Sequence, residues 1–249
     1  MSRAQRKLRL VESPAPVEAT ETPARSPESF ILASAFIVSF SGVAYELLLA
    51  TYATYLWGGS IYQYSLVFSS MMLAMGLGSW VADHGKVAKW VGNGAGAFLT
   101  VESILSILGA VALPLLYTVY WKGWYPLYFV FGFSVGLGFL VGLEIPFLNR
   151  WLQREKRIAE LLAVDFAGGF LGGILFPLFL APRLGLFRVA GLVALLNAFV
   201  ALWGWTRVKD EIKNPLVPVL AVAAFALGGL FFVQATAWQE AMQKAFFGF

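Results

Sequence analysis

Four carboxylates stand where carboxylates are costly: Glu46, Glu102, Glu144 and Asp165 fall inside, or at the lip of, long uncharged runs. Placing such a group near a bilayer centre costs at least roughly 2.5–3.5 kcal/mol. Each therefore calls for a cavity, a partner or a proton. No Lys or Arg shares those runs to neutralise them, which favours a cation or a proton. Acidic groups converging with the rings of Tyr45 and Tyr64 suit an ammonium or polyamine, through ion pairing and cation–π contact. These six residues are the candidate ligand-binding set. The plainer alternative gives each carboxyl a Ser, Tyr or backbone partner on a neighbouring helix, with Asp165 capping its own helix.

Other chemistry is excluded by what the chain lacks. It has no cysteine and one histidine, His84, so disulfides, thiolate metal sites and paired-imidazole ligation are out. Phosphate-loop and dinucleotide-fold signatures are absent, and the Gly-rich stretches lie within apolar helices. No catalytic residue, metal site or cofactor is therefore expected in this chain. The net charge of +4 does not imply nucleic acid, because the basic residues flank hydrophobic runs.

The elements that position the carboxylates are apolar helices. Hydrophobic residues make up 59% of the 249, charged residues 13%, and mean hydropathy is +0.73. A soluble domain carries roughly a quarter charged residues, whereas about 20 apolar residues suffice to cross a bilayer. An all-α polytopic membrane protein follows, with about seven transmembrane helices in one bundle. The expected spans are 30–57, 61–82, 91–120, 125–147, 161–180, 187–205 and 215–236. A tight turn at Trp57-Gly58-Gly59-Ser60 joins the first two, and a charged amphipathic piece at 149–160 lies between the fourth and fifth. Pro114, Pro146 and Pro177 fall inside spans, Pro114 as a kink point. Residues 1–29, rich in Pro, Glu, Ala, Ser and Thr, read as a disordered cytoplasmic tail. The transmembrane helical domain covers 30–236. Residues 237–249 read as an interfacial helix or a linker to a missing domain.

Orientation follows from basic residues in alternate segments. With the amino end inside, 14 of the 18 Lys and Arg fall on that side. Only Lys122, Arg183, Arg188 and Lys244 fall on the other. Span-end tryptophans (Trp57, Trp121, Trp124, Trp151, Trp203, Trp205, Trp238) read as interfacial anchors. Small-xxx-small pairs such as Gly132/Gly136, Gly138/Gly142 and Gly168/Gly172 allow close helix approach in lipid. Packing within the chain is the first use of these stripes; a homo-oligomer through Gly132, Gly136, Gly168 and Gly172 is the second.

The run from Glu46 through Trp57-Gly-Gly-Ser60 to Ser65, and Ala74-Met-Gly-Leu-Gly-Ser79 after it, resemble the opening of the bacterial membrane-bound spermidine synthases (polyamine aminopropyltransferases). So do Gly142-Leu-Glu144-Ile-Pro146-Phe-Leu and, most specifically, Asp165-Phe-Ala-Gly-Gly-Phe-Leu-Gly-Gly-Ile-Leu-Phe176-Pro177, continuing to Gly185-Leu, with Asn197 in the next helix. The blocks run in order from about Phe30 to the end. The resemblance implies the transmembrane half of such a protein. In the family, a soluble Rossmann-like domain after this bundle carries the site for decarboxylated S-adenosylmethionine and the Asp acting on the amine. Neither is in this sequence, so no catalytic residue carries over.

The reading is a membrane-embedded domain of a spermidine synthase-like protein in the bacterial inner membrane. It anchors polyamine aminopropyl transfer among membrane lipids, with polyamine as a candidate ligand. One rival is a small polyamine, cation or proton-coupled transporter using the intramembrane carboxylates. The other is a non-catalytic structural or assembly subunit. Convergence of Glu46, Glu102, Glu144 and Asp165 on one cavity would raise the transporter; scattered, satisfied carboxylates would raise the structural reading.

Overall fold

A computed structural model describes residues 28–84, 94–152, 157–209, 212 and 214–247. All regular structure among them is helical, in seven consecutive elements. These are α1 (Glu28–Trp57), α2 (Ser60–Asp83), α3 (Ala95–Trp121), α4 (Pro126–Leu152), α5 (Ile158–Leu184), α6 (Leu186–Val208) and α7 (Leu216–Phe247). Every one is long and apolar enough to cross a membrane.

The helices alternate in direction. Arg150 at the end of α4 donates to the Ala82 carbonyl (2.7 Å) and Asp83 (3.0 Å) at the end of α2. At the same end of the bundle, Arg157 opens α5 and pairs with Glu28, which opens α1, at 2.7 Å. At the opposite end, the Tyr117 hydroxyl donates to the Ala241 carbonyl late in α7 at 2.9 Å.

The interior is built around α1, α3 and α6. In its most apolar window α3 is 67% buried, whereas α5 and α7 are each 22% buried. The outer helices present large apolar side chains outward: Phe68, Met72, Leu73 and Leu77 on α2, Phe166 and Phe170 on α5, Val222 and Val233 on α7. A water-soluble domain rarely exposes so continuous an apolar surface.

Glycines set the closest helix crossings. A Cβ on Gly138 would meet the Met71 carbonyl at 2.7 Å, and one on Gly142 would overlap that of Met75, so α2 and α4 touch backbone to backbone. Gly168 and Gly172 do the same for α5 against Phe36 and Phe40 of α1. Both are thus occupied by packing within the chain, whereas Gly132 and Gly136 face open space.

Several local expectations change. Residues 149–152 belong to α4 and 158–160 to the start of α5, so the surface piece expected at 149–160 divides between two helices. Residues 237–247 continue α7 without a break, because nothing in 230–244 denies the backbone its i→i−4 bonds. Pro114 and Pro146 lie inside continuous helices. Pro177 instead sits in a π-helical turn, Phe176–Leu180, inside α5. A proline lacks the N–H that would close an α-turn, and one extra residue per turn accommodates it. Gly185, at φ 76°, then reverses the chain into α6, a conformation a side chain disfavours. Trp151 is not an interfacial anchor. It is buried and packs on Phe30 (ring centroids 5.4 Å apart) and Phe98 (6.1 Å). The expected tail through residue 27, and five more of the fourteen basic residues counted on its side (Lys86, Lys89, Arg154, Lys156 and Lys213), lie outside the described residues.

Candidate functional site

Three of the four carboxylates lie at one level. Glu102 is seven residues into α3, Asp165 seven into α5, and Glu144 eight before the end of α4. At 1.5 Å per residue each is about 10–12 Å from the bundle end that carries Arg150 and Arg157. The antiparallel run of α4 against α3 and α5 brings a late residue level with two early ones.

Glu102 (0% exposed) and Glu144 (2% exposed) face each other in the interior and interact through their side chains. Beyond that contact, neither oxygen of Glu102 nor Oε1 of Glu144 has a hydrogen-bond partner among the described residues. Asp165, half-buried on α5, lies within electrostatic range of Glu144 and takes a hydrogen bond from the Ser39 hydroxyl of α1. The charged groups that act on Glu144 are thus Glu102 and Asp165, both acidic.

Tyr45 completes the centre. Its ring packs face-on against Gly109 of α3, where any Cβ would overlap the hydroxyl and the ring atoms behind it. The hydroxyl is buried, lacks a hydrogen-bond partner among the described residues, and lies within electrostatic range of both Glu102 and Glu144. An orphaned hydroxyl beside orphaned carboxyl oxygens is unusual, since the large majority of buried polar atoms are bonded. Together they make an acceptor-rich centre that calls for a donor or a positive charge.

The remaining candidates are elsewhere. Glu46, beside Tyr45 in sequence, points to another face of α1 and is half-buried, outside the Glu102–Glu144 pair. Glu46 pairs with neither Glu102 nor Tyr64. Instead Glu102 answers to Glu144, and the Tyr64 hydroxyl shares a 2.6 Å hydrogen bond with Thr51.

Two polar residues were missed as site candidates. Ser39 carries no composition signal, since a hydroxyl in an apolar run commonly bonds its own helix. Asn197 is 1% exposed with its Oδ1 unpartnered; a buried amide in an otherwise apolar span was the available signal. No group of three His, Cys, Asp or Glu suited to a metal ion occurs among the described residues.

Fold and interior define a class: a seven-helix bundle of membrane-crossing length with a buried, acidic polar centre. Sequence relatives narrow it. The chain is 36% identical over 202 residues to a polyamine aminopropyltransferase of Leptospira interrogans, covering 78% of this chain and 39% of that protein. It is 32% identical over 209 residues to polyamine aminopropyltransferase 1 of Ralstonia nicotianae (80% and 38%). It is 36% identical over 200 residues to polyamine aminopropyltransferase 2 of Streptomyces coelicolor (72% and 35%). These similarities support the spermidine synthase family. The chain spans about two fifths of the length of these relatives. No family model matches it, and no solved structure does.

Proposed function

We propose that this chain is the membrane-embedded domain of a spermidine synthase-like protein. It crosses the bacterial inner membrane seven times, with the Arg150–Arg157 end cytoplasmic, and holds polyamine aminopropyl transfer at that surface. The similarity to polyamine aminopropyltransferases carries the reading, because it extends over 72–80% of the chain. Seven helices of crossing length and the outward apolar faces of α2, α5 and α7 support the membrane part.

Alkaline carbonate extraction of native membranes, together with deletion of the gene, tests the proposal. The chain should stay in the extracted membrane pellet. Membranes of the deletion strain should lose conversion of putrescine and decarboxylated S-adenosylmethionine to spermidine. Recovery in the soluble fraction, or unchanged membrane-associated conversion after deletion, would refute it.

The common level of Glu102, Glu144 and Asp165 favours a second reading, movement of a cation through the bundle. Labelled putrescine uptake into proteoliposomes above protein-free vesicles would support it.

A further inference from the structure

We propose that Glu102, Glu144 and Tyr45 form a buried site for one primary ammonium group, entered past Asp165. The first support is the balance of donors and acceptors. Both oxygens of Glu102, Oε1 of Glu144 and the Tyr45 hydroxyl are buried without partners beyond the facing carboxyls. A proton shared between the two carboxyls, as their contact requires, still leaves acceptor oxygens unmet, so the pair calls for an added donor. A primary ammonium brings three N–H donors and the one positive charge that two facing carboxyls need.

The surroundings select the class of cation. The charges acting on Glu144 are acidic, so among the described residues no Lys or Arg side chain already fills this role. The nearest described arginines in sequence are engaged at the bundle end, Arg150 with Ala82 and Asp83, Arg157 with Glu28 and Glu160. Hard metal cations take six or more oxygens, and the described residues gather no metal-binding group. An N–H donor fits two carboxyls and a hydroxyl better.

Entry is assigned to the α1–α5 side. Asp165 is the half-exposed carboxyl at the level of the pair, within range of Glu144, and Ser39 fixes its orientation. An ammonium meeting Asp165 first exchanges one carboxylate for the next without an uncompensated step. The identity of the carrier, a polyamine, rests on the function proposed above; the ammonium site rests on the geometry alone.

The test is equilibrium binding of labelled putrescine to the purified chain in nanodiscs, with competitors of different chemistry. Butylammonium should compete, because it shares the primary ammonium. Tetramethylammonium, which has no N–H, and sodium should not. Glu102→Gln and Glu144→Gln keep side-chain volume and should each weaken binding about tenfold or more, Tyr45→Phe about three- to tenfold. Glu46→Gln should bind as the parent does. Because a core variant can misfold, the parent is also labelled with a hydrophobic carbodiimide and mapped by mass spectrometry. Butylammonium should protect Glu102 and Glu144, and tetramethylammonium should not. Absence of saturable binding to the parent would overturn the site. So would equal competition by sodium, parent-like affinity in both folded Gln variants, or carbodiimide labelling that butylammonium leaves unchanged. Membrane extraction and gene deletion fail or succeed independently of every one of these readings.

Discussion

Gly109→Ala should unsettle the bundle centre through one named collision. The added methyl would overlap the hydroxyl and ring of Tyr45, which is 1% exposed and has no open space to swing into. Replacing glycine by alanine within a helix ordinarily gains about 0.5–1 kcal/mol. Forcing an extra carbon into a filled core costs about 1–3 kcal/mol. The net expectation is a loss of about 1–2 kcal/mol. Shortening the clashing side chain should reverse it. Tyr45→Leu alone leaves a cavity and is destabilising, but in the Gly109→Ala background the methyl occupies part of that space. A double-mutant cycle should therefore give a favourable coupling of about 1 kcal/mol or more. Denaturant unfolding in mixed micelles, followed by tryptophan fluorescence, reads all four proteins. Strict additivity, or a Gly109→Ala protein more stable than its parent, would refute the packing of Tyr45 on α3.

Other outcomes follow from the same contacts. Gly142→Ala should loosen the α2–α4 crossing by about 1–3 kcal/mol, whereas Gly132→Ala, facing open space, should be neutral or stabilising by up to about 1 kcal/mol; thermal unfolding of the two separates them. Asp83→Asn removes an ion pair whose acid is 65% exposed and should change stability by less than about 1 kcal/mol. Arg150→Ala, which also strips the Ala82 carbonyl of its donor, should cost more in the same assay. In the cysteine-free background, single cysteines at 84 and 209 should react with impermeant reagent from the cytoplasmic face and one at 123 from the opposite face. Labelling of 84 and 123 from the same side would overturn the alternating orientation.

The helices were legible because crossing length and absence of charge are local properties. Their ends were not: α7 continues to Phe247 past the point where hydropathy falls, because a helix keeps its backbone bonds after its side chains turn polar. For the site, depth was legible and azimuth was not. Counting along the chain places Glu144 level with Asp165 whatever the packing. Which carboxyl faces which depends on the rotation of each helix, fixed here by glycine contacts such as Gly142 on Met75 and by Tyr45 against Gly109. That is why Glu102 faces Glu144 and leaves Glu46 on another side. Tyr64 was drawn away for a local reason, since Thr51 offers its hydroxyl a partner across the α1–α2 hairpin.

The hydroxyl of Ser106, one turn beyond Glu102 on α3, donates to the Ala194 carbonyl of α6 at 2.7 Å and reaches the Ala224 carbonyl of α7 at 3.5 Å. One rivet therefore holds three rods. Helix α7 is 32 residues long, about 48 Å at 1.5 Å per residue, and farther along Tyr117 and Arg188 also grip it, through Ala241 and Thr236. Its stiffness makes it a lever. These grips tie α7 at three points to α3 and α6, so a load on its late turns is shared with the helix that carries Glu102.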